Sequence, residues 1–327
     1  MMHIQEIYTY LGPDLARVEA RINASLRSDI SLLNSVNRRL RAHPGKQLRS
    51  VLALLVAGAC GGVTEDSVRF AASAELLHNA TLLHDDVVDG ADERRGVPTV
   101  AKFLGAGPAV LVGDYWLVSS MHEILAASYE PERVLRILSQ TLLHLAEGEL
   151  LQMEKAGKGD TTQEDYLRIV YGKTASLFEA TAAAAAISAR ASEEQVEAMG
   201  RFARQLGTAF QIKDDILDYS ETSAALGKPV GIDLKEQKIT QPLLCALETV
   251  PAEEAERWRA RVTQVAEHPE QIDAIVDFVR THDGVELAGK VMDNYIADAI
   301  LCLDVLEESL CKQYLKDLAF FVGDRTV

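Results

Sequence analysis

Apolar residues recur at three- and four-residue spacing in LRSVLALLVAGAC, AVLVGDYWLVSSMHEIL and RVLRILSQTLLHLAEGELLQME. That is the period at which one face of an α-helix repeats. The two-residue alternation of a half-buried strand is hard to find. Breaker clusters at AHPGK, GADERRGVP, AASYEPE, KAGKGDTT, ALGKPVG and VPAEE cut the chain into pieces of ordinary helix length. The pattern predicts an all-α chain of helices joined by short polar turns. No shift in composition marks a linker, so residues 1–327 read as a single domain. The alanine run in EATAAAAAISARA, residues 179–191, fits a buried helix whose small side chains let neighbours pack closely.

Two stretches interrupt this pattern with crowded acids. LLHDDVVDGADERRG, residues 82–96, carries Asp85, Asp86 and Asp89, and QIKDDILDYS, residues 211–220, carries Asp214, Asp215 and Asp218 in the same DDxxD spacing. On a helix, residues four apart share a face, so Asp85 and Asp89 repel unless a cation or basic partner offsets them. A calcium loop beginning at Asp85 fails, because its third position would be Val87 and its twelfth Gly96, where oxygen ligands are required. Carboxylates at i and i+4 suit Mg²⁺ instead, a hard ion that keeps several waters and bridges one or two carboxylates to substrate phosphates. The clusters therefore predict a diphosphate ligand. Cations to meet it stand nearby in sequence: Arg94 and Arg95 after the first cluster, Lys46 and Arg49 in PGKQLRS, Lys173 in YGKTASLF, and Lys228 and Lys238 in GKPVGIDLKEQKIT.

Composition narrows the setting. A 327-residue chain with 48% hydrophobic content can bury a large core, and its net charge of −16 argues against nucleic acid, which needs a basic surface. Cys60, Cys245, Cys302 and Cys311 show no CxxC pair or zinc-ligand spacing, and no signal peptide precedes them, which points to a reducing cytoplasm. No uncharged apolar run reaches the roughly 18 residues of a membrane span.

From about residue 40 to the C-terminus, GKQLR, ELLHNATLLHDDVVDGADERRG, GDYWL, EGELLQ, YGKTASLF, GTAFQIKDDILDYS and GKPVGIDLKEQKITQPLL follow in an order and at separations that resemble the trans-isoprenyl diphosphate synthases, or polyprenyl synthetases. The resemblance implies an all-α fold, a large helical bundle around a central cavity. It implies a homodimer that joins isopentenyl diphosphate to an allylic prenyl diphosphate with Mg²⁺, three ions per site. Carried over, Asp85 and Asp89 would ligate two Mg²⁺ ions and Asp214 a third, with Asp86, Asp215 and Asp218 in support. Arg94, Lys173, Lys228 and Lys238 would bind the allylic diphosphate, and Lys46, Arg49, His78 and Arg95 isopentenyl diphosphate. Thr174 and Gln211 would turn oxygen dipoles toward the forming allylic cation. Metals and cations would stabilise the diphosphate as its C–O bond ionises, and the isopentenyl double bond would then attack. No protein nucleophile is needed, in keeping with the lack of a Ser/His/Asp or Cys/His arrangement.

The sequence departs from the family pattern at Gln47, where many members are basic, and at Ser50, often proline. Ala80 and Thr81, one turn before Asp85, are small where short-chain enzymes of the family often place aromatic plugs, and Ala146 in the EGELLQ helix also leaves room. The tunnel would stay open to give a product of about C30 or longer, a reading from side-chain volume. A C15–C20 synthase, a class I terpene cyclase and a non-catalytic subunit of a two-component synthase are the alternatives. GKQLR and the second DDxxD argue against the cyclase, and two whole acid clusters against the non-catalytic subunit. An insoluble product makes transient membrane contact for release plausible, but no basic amphipathic helix stands out as an anchor.

Overall fold

The computed structural model describes residues 2–42, 45–94, 96–219 and 230–325. Arg95 and Lys228 lie outside the described residues. Among the described residues regular structure is helical, apart from one antiparallel pairing of Glu93–Arg94 with Val97–Pro98. The helices used below are α1 (Met2–Ser25), α2 (Ser31–Arg41), α3 (Leu48–Ala59), α4 (Glu65–Val88), α5 (Val100–Leu104), α6 (Ala106–Leu125), α7 (Pro131–Lys155), α8 (Gln163–Val170), α9 (Ser176–Ser188) and α10 (Glu193–Asp218). A single π turn, Tyr171–Ala175, joins α8 to α9. The chain divides into two compact units: Met1–Ser139 with Ala180–Met199 and Val305–Leu315, and Gln140–Glu179 with Gly200–Asp304 and Lys316–Val327.

In the first unit α4 packs against α1, α3 and α6. Every residue of α3 from Val51 to Ala57 is fully buried, as an apolar run without a polar face requires. The start of α4 is fixed by a capping box between Thr64 and Ser67, with Glu65 and Asp66 in the first turn, where the helix dipole favours acids. Its other end is a Schellman turn. Gly90 takes φ +61°, its N–H donates to Val87 O, and the Ala91 N–H donates to Asp86 O. Gly90 is thus a helix stop. Ala182, Ala185 and Ala186 of the alanine run are fully buried, the packed helix that their size predicts.

In the second unit small residues set the distances between elements. A Cβ added to Gly172 of the π turn would lie 2.6 Å from His144 O and 2.8 Å from the Gly148 Cα, so the π turn and α7 meet backbone to backbone. Gly207 of α10 does the same against Ala175, with a hypothetical Cβ 2.7 Å from that residue's Cα. These contacts carry the π turn, with Lys173 and Thr174 on it, onto α7 and α10. No helix among the described residues is long and apolar enough to cross a membrane.

Candidate active site

The first acid cluster closes α4. Asp85 is half-buried in the last turn, Asp89 is the exposed C-cap, and Asp86 is buried with its Oδ1 accepting the Arg94 Nε–H at 2.7 Å. Arg94 and Asp86 line a cleft of about 660 Å³ with Arg39, Asn79 and Thr99. Arg94 therefore neutralises the buried carboxylate of the cluster. His78 is half-buried two turns earlier on α4. Lys46 is exposed, and its carbonyl accepts the Tyr8 hydroxyl.

Gln47 takes the left-handed conformation, φ +47°, to start α3, and the Ser50 N–H donates to the buried Glu75 Oε1 of α4 at 3.1 Å. A proline at position 50 has no N–H to make that bond. The departure from the family pattern at Ser50 thus gives α3 a cap supplied by α4.

The second cluster closes α10, and its three aspartates do different things. Asp214 Oδ1 meets the Arg325 Nη2 at 2.8 Å. Asp215 is buried, accepting the Tyr166 hydroxyl at 2.5 Å and the Gln211 amide N–H at 3.0 Å. The two oxygens of Asp218 accept the backbone N–H groups of Ile232 and Asp233 at 3.0 and 3.1 Å, so its carboxylate holds the start of the short helix Ile232–Lys235. The Thr174 hydroxyl donates to Gln211 Oε1 at 2.8 Å, completing a chain from the π turn through Gln211 and Asp215 to Tyr166. A cleft of about 650 Å³ within this unit is lined by Lys173, Gln211, Asp215, Asp233, Lys238 and Tyr166, among others. Lys173 is paired with Glu149 at 2.6 Å and Lys238 with Glu236, so both cations enter the cleft already partly neutralised.

Burial governs the ionisation of this cluster. Desolvation, reinforced by Asp214, pushes the Asp215 carboxyl up to about 6, and desolvation with Asp215 and Asp218 pushes Asp233 up to about 8. Asp218 is raised by burial as well, against the pull of its backbone donors. Each cluster also sits at a helix C-terminus, where the macrodipole is negative and adds to the repulsion within that cluster. Such a concentration of unfavourable charge fits a cation. Among the described residues no three His, Cys, Asp or Glu side chains converge on one point. Mg²⁺ takes one or two carboxylates and completes its shell with water and phosphate.

Three chain-length positions were expected near the first cluster or on α7. Ala80 is buried at 1% exposure and Thr81 half-buried, its hydroxyl tied back to His78 O at 2.8 Å. Ala146, the third of these positions, is exposed. It falls in phase with the exposed Leu143, Leu150 and Met153 on the outward stripe of α7, while Gly148 faces the close crossing with the π turn.

Sequence reasoning assigned no role to Tyr166, Asp233, Glu149 or Arg325. Asp233 and Glu149 lie inside quoted motifs, so their types were visible but not their partners. Tyr166 resembled any core tyrosine, and Arg325 stands far from every motif.

Among the described residues the structure is almost wholly helical, and each acid cluster closes a helix beside cations, a setting suited to a diphosphate. The comparisons agree: the polyprenyl synthetase family matches residues 30–279, and the chain belongs to that family. It is 37% identical to an octaprenyl diphosphate synthase of Haemophilus influenzae over 99% of this chain and 98% of that one. The crystal structure of a decaprenyl diphosphate synthase from Rhodobacter capsulatus superposes with a TM-score of 0.91 at 34% identity, covering 99% of each chain. A polyprenyl synthase from Caulobacter crescentus, complexed with calcium and isoprenyl diphosphate, does so with a TM-score of 0.91 at 30% identity over 99% of this chain and 98% of that one. The chain is a prenyltransferase, an enzyme of isoprenoid biosynthesis.

Proposed function

We propose that this prenyltransferase condenses isopentenyl diphosphate head to tail with an allylic prenyl diphosphate, giving an all-trans product of about C30 or longer. The observation that carries the reading is the placement of both acid clusters at helix C-termini, each next to cations. Asp85 and Asp89 would hold two Mg²⁺ ions and Asp214 a third, with Asp86 and Asp215 fixed by Arg94 and Tyr166. Bound Mg²⁺ supplies electrostatic stabilisation of the departing diphosphate.

The protein's own groups do the rest. Arg94, Lys173 and Lys238 take up charge that grows on the bridging oxygen as the C–O bond ionises. Lys173 can do so once the diphosphate outcompetes Glu149 for its ammonium. Thr174 and Gln211, hydrogen-bonded to each other, present oxygen to the allylic cation without the strength to capture it. Lys46, Arg49 and His78 hold isopentenyl diphosphate, whose double bond attacks the cation. The released diphosphate accepts the proton that leaves.

Ala80 and Thr81 support a long product, since neither obstructs a tail as an aromatic side chain would, and the octaprenyl and decaprenyl relatives point the same way. A homodimer is supported by two exposed apolar stripes. Leu111, Val118 and Leu125 recur every seven residues on α6, and Leu143, Leu150 and Met153 share one face of α7. A reducing cytoplasm fits four cysteines that are all free thiols.

The test is product analysis with radiolabelled isopentenyl diphosphate, farnesyl diphosphate and Mg²⁺, comparing wild type with Ala80→Phe. Long products that shorten in the variant support both reaction and length. Elongation that stops at about C20 in the wild type overturns the open-tunnel argument. A cyclic hydrocarbon, or no elongation by the chain alone, overturns the reaction.

A further inference from the structure

We propose that Arg325 is the internal competitor of the metal at Asp214, released by metal binding to grip the diphosphate; this rests on the reading of Asp214 as a ligand. Arg325 stands just beyond the last helix, Leu310–Asp324, yet its side chain is only 6% exposed. It makes three contacts: Nη2 to Asp214 Oδ1 at 2.8 Å, Nη2 to Phe210 O at 2.6 Å, and the guanidinium stacked 3.8 Å from the Phe210 ring centroid. Among the described residues its buried Nε–H has no hydrogen-bond partner.

A structural arginine buried this deeply normally satisfies its whole fork, because an unmet donor is costly. Here the orphaned Nε marks a guanidinium held by charge and stacking but not fully accommodated. The same Asp214 oxygen cannot serve a guanidinium and a divalent ion at full strength. A metal at Asp214 would therefore compete with Arg325 for this carboxylate, and a fork so released would be free to meet an anion bound with the metal. A planar fork with an unused N–H is suited to bidentate contact with a phosphate. The stack on Phe210 keeps it within reach, so metal and diphosphate become coupled through one residue.

The experiment is titration of Mn²⁺ into the EDTA-treated, full-length chain, followed by electron paramagnetic resonance, with and without inorganic pyrophosphate, for wild type, Arg325→Gln, Arg325→Lys and Asp214→Asn. A charge-assisted bond of this kind corresponds to roughly a tenfold change in an equilibrium constant. Arg325→Gln should bind Mn²⁺ about tenfold more tightly than wild type in the absence of pyrophosphate, and lose most of that advantage when pyrophosphate is present. Arg325→Lys, which keeps a cation but not the fork, should bind bare Mn²⁺ like wild type and still lose the pyrophosphate coupling; it decides the matter if the Gln variant does not fold. Equal or weaker Mn²⁺ binding by Arg325→Gln overturns the inference. If Asp214→Asn binds Mn²⁺ as wild type does, the assignment of Asp214 as a ligand fails instead.

Discussion

Replacing Gly172 by alanine tests whether the π turn is what aims the catalytic face of the second unit. The new Cβ would lie 2.6 Å from His144 O and 2.8 Å from the Gly148 Cα, both backbone atoms that no side-chain rotation can move aside. Overpacking of this kind costs about 1–3 kcal/mol, and two backbone obstacles place Gly172→Ala at the upper end. Alanine's better helix propensity returns about 1 kcal/mol, leaving a net loss of about 2 kcal/mol. For a chain of this size that lowers Tm by about 4 °C. Relief requires the π turn to shift outward from α7, carrying Lys173 away from Glu149 and Thr174 away from Gln211. Displacements approaching 1 Å cost on the order of 100-fold in rate, so turnover should fall far more than stability.

The control is Gly289→Ala in the helix Gly284–Leu301, where nothing lies within 4 Å of the added Cβ and alanine should stabilise by about 0.5–1 kcal/mol. Thermal unfolding by circular dichroism and steady-state elongation read both effects. A Gly172→Ala protein that melts with Gly289→Ala and turns over like wild type would refute the argument.

Two further outcomes follow from burial and exposure. Asp233 keeps its proton in the fold up to about pH 8, whereas a carboxyl in the unfolded chain releases it near 3.8. The native state thus binds more protons across that interval, and stability must fall as pH rises through it. Asp233→Asn should flatten the loss of Tm between pH 6 and pH 8 in metal-free buffer; an unchanged slope would assign the pH dependence elsewhere. Leu150→Asp places a charge on the exposed stripe of α7; under the proposed homodimer, sedimentation equilibrium should show the wild type dimeric and the variant monomeric, and a variant that stays dimeric would exclude that stripe from the interface.

The helical class and both acid clusters were legible in the sequence, because periodicity and i, i+4 spacing are local properties that survive folding unchanged. The fate of individual aspartates was not. Asp214, Asp215 and Asp218 share a motif, yet one meets Arg325, one is buried under Tyr166, and one caps Ile232–Lys235, partners that are remote in sequence. Gly172 reads as an ordinary break in YGKTASLF, and only the crossing with Gly148 shows that it sets a backbone-to-backbone distance. For Ala146 the sequence shows size but not facing: which way a residue of α7 points depends on what the helix packs against, and Gly148, two positions along, takes the buried face while Ala146 is exposed.

The central claim is that the acid clusters act as metal ligands for a diphosphate. It is tested most directly by Asp85→Asn, measuring Mg²⁺-dependent elongation together with the Tm of the metal-free protein. Loss of a ligand at the reacting diphosphate should cut kcat by on the order of 10³. Removing one charge from a crowded helix C-terminus should leave the metal-free Tm equal to or above that of wild type. An Asp85→Asn enzyme that elongates within tenfold of wild type at the same Mg²⁺ concentration would contradict the claim, whatever its stability.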